Sequence, residues 1–472
     1  MGFVRKDVVI VGGGFSGTML AVHLLRRASN LSLAVIDEST TPARGLAYSS
    51  PHDCHLLNVP AKDMSAFASE PSHFLDWATL NADRPVQPTS FLPRTLYGRY
   101  VGAILRDAAD QAHYSRNNFD WIRDRAVSID NAADGAIVHR ANGAPIQAQA
   151  VVLALGNFPP GNLGIRGLRS DARHYHRLAW TPDALAGLSS EDSVLLIGSG
   201  LTSVDISLAL HSRGFRGPIH VLSRHGLLPL AHQCGSCWPG FWDETSPRTA
   251  RALMRLIRAE VANAAAAGTD WRAVIDSLRP HLQQIWQSLP LDERRRFLRH
   301  ARPYWEIHRH RIAPEVAEEF SRMLSSGQLR VHAGRILSYS ENEKSAAVIF
   351  HNRKTDAPQQ LQVTRVINCS GPQTDYRKIE DPLLASLFAR KLVRQDSLGL
   401  GLDFDQNGKL RDSSGHPSTR LYGIGPVRKG DLWESTAVPE LRGQAADLAQ
   451  WLLSNNFRQH PLTAAEHAVS SK

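Results

Sequence analysis

Nothing in the chain of 472 residues approaches the roughly 20 consecutive apolar residues that a membrane helix needs. The first apolar stretch, Val8 to Val11, is short and runs straight into glycines, with no long hydrophobic region or cleavage site behind it. It reads as a strand of the mature protein and not as a secretion signal. Cysteine is scarce: Cys54, Cys234, Cys237 and Cys369 are too few and too scattered for a disulfide framework, so a reducing cytoplasm is the expected location. Acidic residues are outnumbered, 45 Asp and Glu against 54 Lys and Arg, which leaves a formal charge of +9. A basic balance can serve nucleic acid or an anionic membrane, but the arginines are spread along the chain and no nucleic-acid motif accompanies them. Neither partner is expected. Hydrophobic content of 42% and charged content of 21% suit a soluble globular protein, and the length allows two or three domains with cores of their own.

Glycine is clustered where it carries information. Gly12-Gly13-Gly14-Phe15-Ser16-Gly17 follows the apolar run Val8 to Val11, and Gly198-Ser199-Gly200-Leu201-Thr202-Ser203 follows Val194 to Ile197. Each reads as strand, tight turn, then apolar helix. Glycines let the backbone approach a pyrophosphate, and the helix N-terminus turns free N–H groups and positive dipole toward it. Two such signatures, each in the right context, argue for two dinucleotides, most economically FAD and a nicotinamide cofactor. The second strand of the first unit, Leu31 to Ile36, ends in Asp37-Glu38, about 20 residues past Gly17, the spacing of a carboxylate that accepts from an adenosine ribose. The corresponding strand of the second unit, Ile219 to Leu222, ends in Ser223-Arg224-His225 with no carboxylate. Arg224 there can clasp a 2′-phosphate that an acid would repel, which favours NADPH over NADH.

The expected fold class is α/β: two Rossmann-like three-layer dinucleotide-binding domains with a β-meander and a helical insertion. Phe15 to Ala28 and Tyr97 to His113 read as helices, and the turns Asp134-Gly135 and Asn142-Gly143 divide Trp121 to Ala150 into a meander. Val151 to Leu155 then reads as a strand ending in Gly156-Asn157. Residues 1–185 and 330–472 are assigned to a discontinuous FAD-binding domain, and residues 186–330 to an NADPH-binding domain. Within the latter, about 247–325 turns helical, with Arg248 to Ala267 and Trp271 to Leu289 at helical spacing. Strands return at Arg330 to Val331, Ala346 to Phe350 and Val363 to Asn368, the last followed by Cys369-Ser370-Gly371-Pro372. Leu421 to Ile424, with Gly425 behind it, is a final strand, and Pro439 suits the first turn of a closing helix.

This order of glycine motifs, meander and C-terminal return resembles flavoproteins with two dinucleotide-binding domains. Gly198 to Ile206 is similar to the NADPH motif of class B flavin monooxygenases, and Asn58-Val59-Pro60-Ala61-Lys62 resembles the Asn-x-Pro-Lys segment of flavin-containing monooxygenases, with Ala61 where those carry Lys. His55 to Ala66, Pro303 to Pro314 and Gly423 to Arg442 resemble a bacterial family of FAD/NAD(P)-binding proteins still more closely. The class B fingerprint is incomplete: His176 and Trp180 stand at its His and Trp places, but Ser170 and Ala172 replace its Phe and Gly.

The resemblance implies an FAD-dependent, NADPH-using monooxygenase that takes a small-molecule substrate and O₂. Such an enzyme needs a hydrogen-bond donor beside the reacting flavin in a dry pocket, and the resemblance offers the amide of Asn58 as that catalytic group. It also places Gly425 near the FAD pyrophosphate or ribityl chain and aims the closing helix at the flavin N1–C2 carbonyl, with the backbone of Thr436, Ala437 and Val438 as donors. Arg94, after Pro93, matches a FAD-contacting segment and is expected to hold phosphate or substrate; Arg428 and Lys429 are candidates for the same anionic duty.

Other motifs lead elsewhere. Gln233-Cys234-Gly235-Ser236-Cys237-Trp238 matches the local sequence around a papain-type cysteine, but no His occurs between His351 and His416, and a nucleotide motif lies just upstream. As a redox dithiol the pair would serve a reductase that passes electrons to a disulfide or quinone; low-molecular-weight thioredoxin reductases place theirs before the glycine motif, not after. A zinc site with His232 lacks a fourth ligand, and His308 and His310, at i and i+2, do not share a helix face, so no metal is expected. A non-catalytic, NADPH-sensing flavoprotein is the third class of reading.

Overall fold

The computed structural model describes residues 4–455 except 234 and 236. Cys234 therefore lies outside the described residues. The first sheet is built from β1 (Val4–Val11), β2 (Ser32–Asp37), β3 (Asn118–Arg123), β4 (Ala126–Ala132), β5 (Gly135–Arg140), β6 (Ile146–Leu153), β14 (Lys409–Arg411) and β15 (Pro417–Gly423). Its strand order is β14-β15-β6-β1-β2-β3, with β5 on the leading half of β6 and β4 on β5. The second sheet runs β12-β11-β10-β9-β8-β13-β7, from β7 (Tyr175–His176), β8 (Val194–Ile197), β9 (Ile219–Ser223), β10 (Leu329–Glu341), β11 (Ala346–Asn352), β12 (Ala357–Val363) and β13 (Arg365–Asn368).

The helices are α1 (Phe15–Arg27), α2 (His73–Asn81), α3 (Arg94–Ala112), α4 (Leu201–Ser212), α5 (Ala250–Ala266), α6 (Trp271–Ser277), α7 (Leu282–Ser288), α8 (Leu291–His300), α9 (Arg302–Arg309), α10 (Pro314–Ser325), α11 (Pro382–Ala389), α12 (Lys429–Leu432) and α13 (Val438–Asn455). The α/β class holds. The parallel strands β1, β2 and β6 carry unbroken Val, Ile and Leu runs because both sheet faces are covered. One face packs on α1, α3 and α13; the other packs on the meander and α11. α1 shows an apolar stripe in sequence, yet every residue from Phe15 to Leu25 is buried, since α3 and α13 flank it over the sheet.

Three expectations change in detail. The meander and the strand after it are not separate: β6 is continuous, its first half antiparallel to β5 and its second half parallel to β15. The 330 boundary falls inside β10. Arg330 to Asn368 belongs with the second sheet, because β10 runs parallel to β9 and β13 parallel to β8, so residues 330–368 do not return to the first sheet. Trp271 to Leu289 is two helices, α6 and α7, broken by a 3₁₀ turn at Arg279–His281. Pro280 removes a backbone donor there. Helices α5–α10 form the insertion between β9 and β10. Among the described residues no helix is long and apolar enough to cross a membrane.

Candidate functional site

Both glycine turns are shaped by the strand beside them. Gly12 takes φ +105° and Gly198 φ +111°. A Cβ on Gly12 would run into the carbonyl of Ala154, just past β6, and a Cβ on Gly198 into the carbonyl of Cys369, just past β13. The backbone ladder repeats as well: Ala154 N–H donates to Val11 and Cys369 N–H to Ile197, each at 2.8 Å. Two residues further on, Gly156 (φ +65°) and Gly371 (φ +89°) stand in left-handed conformations with open space where a side chain would be. The two units thus carry the same four-part device of first glycine, neighbouring strand end, second glycine and helix N-terminus.

Gly14 and Gly200 cap α1 and α4 without a side-chain bond, so the N–H groups of Phe15 to Gly17 and of Leu201 and Thr202 stay available to a ligand. Gly200 faces open space, whereas Gly17 sits against the Gly12 carbonyl and Gly13 against Trp121, leaving no room for a Cβ. Phe15 is 7% exposed and packs on Tyr48 and Tyr97, so only its backbone faces the turn. Leu201 and Thr202 open α4, and Ser203, fully buried, donates to the Gly200 carbonyl at 2.8 Å and locks the turn.

Asp37 lies at the end of β2 as expected. One carboxylate oxygen accepts from Gly13 N–H at 2.6 Å, and the other from the Ser39 amide at 2.8 Å and the Ser39 hydroxyl. It fixes the glycine loop, and a carboxylate keeps lone pairs for a further donor. Glu38 points outward, 3.9 Å from Arg125. Ser223 accepts from the Ser199 hydroxyl and the Gly226 amide, so its hydroxyl braces the loop beyond β9. Arg224 is exposed beside His225, whose Nδ1 lies 2.7 Å from Arg353 Nη1. Two guanidinium groups therefore gather at this strand end.

The C-terminal return closes over the first turn. Gly425, at φ +83°, lies where a Cβ would be 2.8 Å from Ser16 Oγ. Its N–H donates to Gln444 Oε1 at 3.1 Å, while Gln444 Nε2 is buried without a partner, as is Ser435 Oγ. Thr436, Ala437 and Val438 lead into α13, which packs along α1. Open glycine cradles, free helix N-termini and orphaned polar atoms under the return fit an extended, polyanionic dinucleotide.

Asn58 is half-buried, and its carbonyl accepts from His232 Nε2 at 2.9 Å. A carbonyl only accepts, so the proton sits on Nε2. Burial, helped by Arg311, holds His232 at a pKa of about 4 and keeps the ring neutral. The loop carrying Asn58 is thereby tied to the second unit. Arg94 does not hold phosphate or substrate. Its guanidinium makes a bidentate pair with Asp205 on α4, at 2.8 and 3.1 Å, and donates from Nε to the Leu56 carbonyl at 3.1 Å. A partner close enough to take both fork nitrogens leaves little of the guanidinium for an anion. Arg428 is likewise committed to Asp431 at 2.7 Å, and Lys429 lies half-buried over the Trp433 ring.

Sequence reasoning missed the ionic seam between the insertion and the closing segment. Arg309, 6% exposed, reaches Glu440 at 3.2 Å and Glu434 at 3.8 Å, and Arg279 joins Glu440 at 3.0 Å. Burial opposes charge on Glu434, but Arg309 and His310 hold its carboxyl below the usual value. The only available signal was the basic run His308 to Arg311, which reads equally well as a solvated helix end. Cys237 is exposed, and Cys369 is buried with its thiol pushed upward by burial, the opposite of what activates a nucleophile.

Residues 9–158 match a family model described as FAD-NAD(P)-binding. The fold is shared with L-lysine 6-monooxygenase from Pseudomonas syringae (16% identity over 95% of this chain and 99% of that one, TM-score 0.65) and with the cadaverine monooxygenase DfoA from Erwinia amylovora, solved with FAD (11%, 99% and 100%, TM-score 0.65). It is shared also with the bacillithiol disulfide reductase of Staphylococcus aureus (11%, 96% and 99%, TM-score 0.57). No curated protein matches by sequence.

Proposed function

We propose that the protein is an FAD-dependent, NADPH-using monooxygenase of a small-molecule substrate. The observation that supports this best is the repeated glycine device at Gly12 and Gly198, two cradles in one chain for two dinucleotides. Bound flavin supplies the hydride acceptance and dioxygen activation that amino-acid side chains cannot. In balance, NADPH gives an electron pair, one oxygen atom enters the substrate at nitrogen, sulfur or beside a carbonyl, and the other leaves as water with a proton from solvent.

The chain's own contribution is positioning. Gly14, Phe15, Ser16 and Gly17 offer backbone N–H groups and the α1 N-terminus to the FAD pyrophosphate, on a turn that Gly12 permits, with Asp37 toward the ribose, Glu38 beside it at the rim, and Gly156 and Gly425 closing over the chain. Gly200, Leu201 and Thr202 do the same for NADPH, on a turn that Gly198 permits and Ser203 locks, beside Gly371, while Ser223 shapes the loop from which Arg224 meets the 2′-phosphate. The α13 N-terminus at Thr436, Ala437 and Val438 stabilises negative charge on reduced flavin. The Asn58 side-chain amide, on a backbone that neutral His232 anchors through the main-chain carbonyl, donates a hydrogen bond at the reacting centre.

The test is direct. The purified protein, or the protein reconstituted with FAD, is reduced anaerobically with NADPH and then exposed to ¹⁸O₂ with amines, sulfides and ketones. Incorporation of label into a product supports the reading. Quantitative return of the electrons as hydrogen peroxide with every substrate class removes oxygenation, and a protein that takes up no FAD removes the whole assignment.

A further inference from the structure

The helical insertion encloses a cavity of about 880 Å³ that the cofactor cradles do not use. Five tryptophans line it: Trp242, Trp271, Trp286, Trp305 and Trp433. Aliphatic side chains of α5, among them Met254, Ile257 and Val261, form another wall, and several of these stay half-exposed to the empty space. Among the described residues no Asp or Glu lines it; the charged or titratable ones there are Arg258, His300, Tyr304 and His308.

Trp433, in the cavity wall, lies three residues before Thr436 in the closing segment. Trp433 has φ +59° and ψ −66°, and Glu434 N–H donates back to the Leu432 carbonyl at 2.7 Å. That is a γ-turn of the rare, strained hand, at a bulky aromatic residue. Stacking on Trp286, with ring centroids 4.9 Å apart, and the bond from Trp286 Nε1 to the Gly430 carbonyl hold the indole in the wall. Strain of this kind persists where the surroundings over-determine it and clusters at functional sites. Trp305, also in the wall, donates from Nε1 to Glu434 at 3.3 Å. The segment Trp433-Glu434 therefore joins the cavity to the turn that leads into Thr436 and the α13 N-terminus.

We infer that this cavity is the substrate pocket and that it takes a neutral molecule with a long alkyl or aryl body, not an amine or amino acid. An ammonium group buried there would find cationic or neutral side chains in the described lining, since Glu434 lies behind Trp305 and is already paired with Arg309, an arrangement too costly to bind. A methylene chain gains from each buried segment. The inference rests on the oxygenation reading for its chemistry, but its binding test does not.

The probes are 2-alkanones of five to thirteen carbons, titrated against the FAD-loaded protein without NADPH and followed by quenching of tryptophan fluorescence, with cadaverine and L-ornithine as controls. Affinity is expected to rise about three- to fourfold per added methylene until the cavity is filled, with no quenching by either control. Val261→Trp, which intrudes on the cavity from the α5 wall, should weaken the nonyl ketone at least tenfold, and Met254→Ala should move the optimum to a longer chain; thermal midpoints and FAD content report that both variants fold. Affinity independent of chain length, or equal for cadaverine, overturns the assignment. Tight, length-dependent binding with no ketone-stimulated ¹⁸O incorporation sustains the pocket and counts against oxygenation alone.

Discussion

Arg94 and Asp205 lock the two nucleotide units together. Arg94 opens α3, which packs on the helix of the first cradle, and Asp205 lies in α4, the helix of the second. Their bidentate pair sits in a buried polar chain. Asp205 also accepts, through its carbonyl, from His55 Nε2 at 3.0 Å, and His55 Nδ1 in turn faces Ser50 Oγ at 2.6 Å. Because the Asp205 carbonyl can only accept, the His55 proton is on Nε2, and Ser50 donates to Nδ1. Hydride passes only if two bound rings are held in one geometry, so an ion pair at the domain joint is a positioning element for any reaction between the cofactors.

Removing one member of a pair this buried leaves the other charge without compensation, which costs about 3–5 kcal/mol. Arg94→Ala is therefore expected to lower the unfolding free energy by about 3 kcal/mol in urea titrations, and Arg94→Ala with Asp205→Ala less than the sum of the two single variants. Bound FAD should persist in the surviving folded protein. A strictly additive double variant would mean that the pair carries no coupling.

The two first glycines make separable predictions. Alanine at position 12 meets the Ala154 carbonyl and at position 198 the Cys369 carbonyl, and each must also hold a positive φ. Gly12→Ala is expected to yield protein with less than about a tenth of the FAD of the wild type, strain of a few kcal/mol at the cradle being enough for that loss. Gly198→Ala should stay yellow and be reduced by dithionite but not by NADPH. The visible absorption spectrum of each variant, before and after each reductant, separates the outcomes. A yellow Gly12→Ala protein that NADPH no longer reduces would exchange the two assignments.

The cradles were legible in sequence because glycines clustered between an apolar strand and an apolar helix serve a tight turn and the close approach of a ligand to the backbone. Runs such as Val8 to Val11 also announce a strand covered on both faces. The assignment of Arg330 to Asn368 to a sheet was not legible, since hydrophobic alternation shows that a strand exists but not which edge it joins. Arg94 misled for a related reason. An arginine at a helix start beside a cofactor motif looks the same in sequence whether it meets a phosphate or a carboxylate more than a hundred residues away. The seam of Arg309 with Glu434 and Glu440, and the strained turn at Trp433, depend on long-range packing of the insertion against the closing segment, for which local sequence carries no signal.

Arg224 bears on the choice of nicotinamide cofactor. It is exposed at the end of β9, near the Arg353–His225 contact, and β9 ends in Ser223 without an acid. Charge-assisted bonds to a phosphate contribute about 1.5–3 kcal/mol. Arg224→Ala should lower kcat/KM for NADPH by about 10- to 100-fold and leave that for NADH within threefold, in steady-state measurements at fixed ionic strength. Equal losses with both cofactors would assign Arg224 to structure and leave the 2′-phosphate to other groups.

Acid stability follows from two buried histidines, His23 and His220, and the half-buried His232. Burial holds His23, His220 and His232 at pKa values of about 4, reinforced by Arg27 at His23, by His332 at His220 and by Arg311 at His232. In the unfolded chain each titrates near 6.5. Above that pH both states are neutral at these sites and stability is independent of them. Between about 6.5 and 4 the unfolded chain binds protons that the folded protein refuses, so stability falls as pH falls, by up to about 1.4 kcal/mol per pH unit for each site. Denaturation midpoints should be level from pH 8 to 7 and drop from 6 toward 4.5. His23 offers the cleanest check. It lies inside α1 against Phe67, and its Nε2 is buried without a partner, so leucine removes an uncompensated polar atom along with the titration. His23→Leu is expected to be at least as stable as the wild type at pH 7.5 and clearly more stable at pH 5. A variant whose midpoint runs parallel to the wild-type curve across that range would show that His23 is not neutral in the fold.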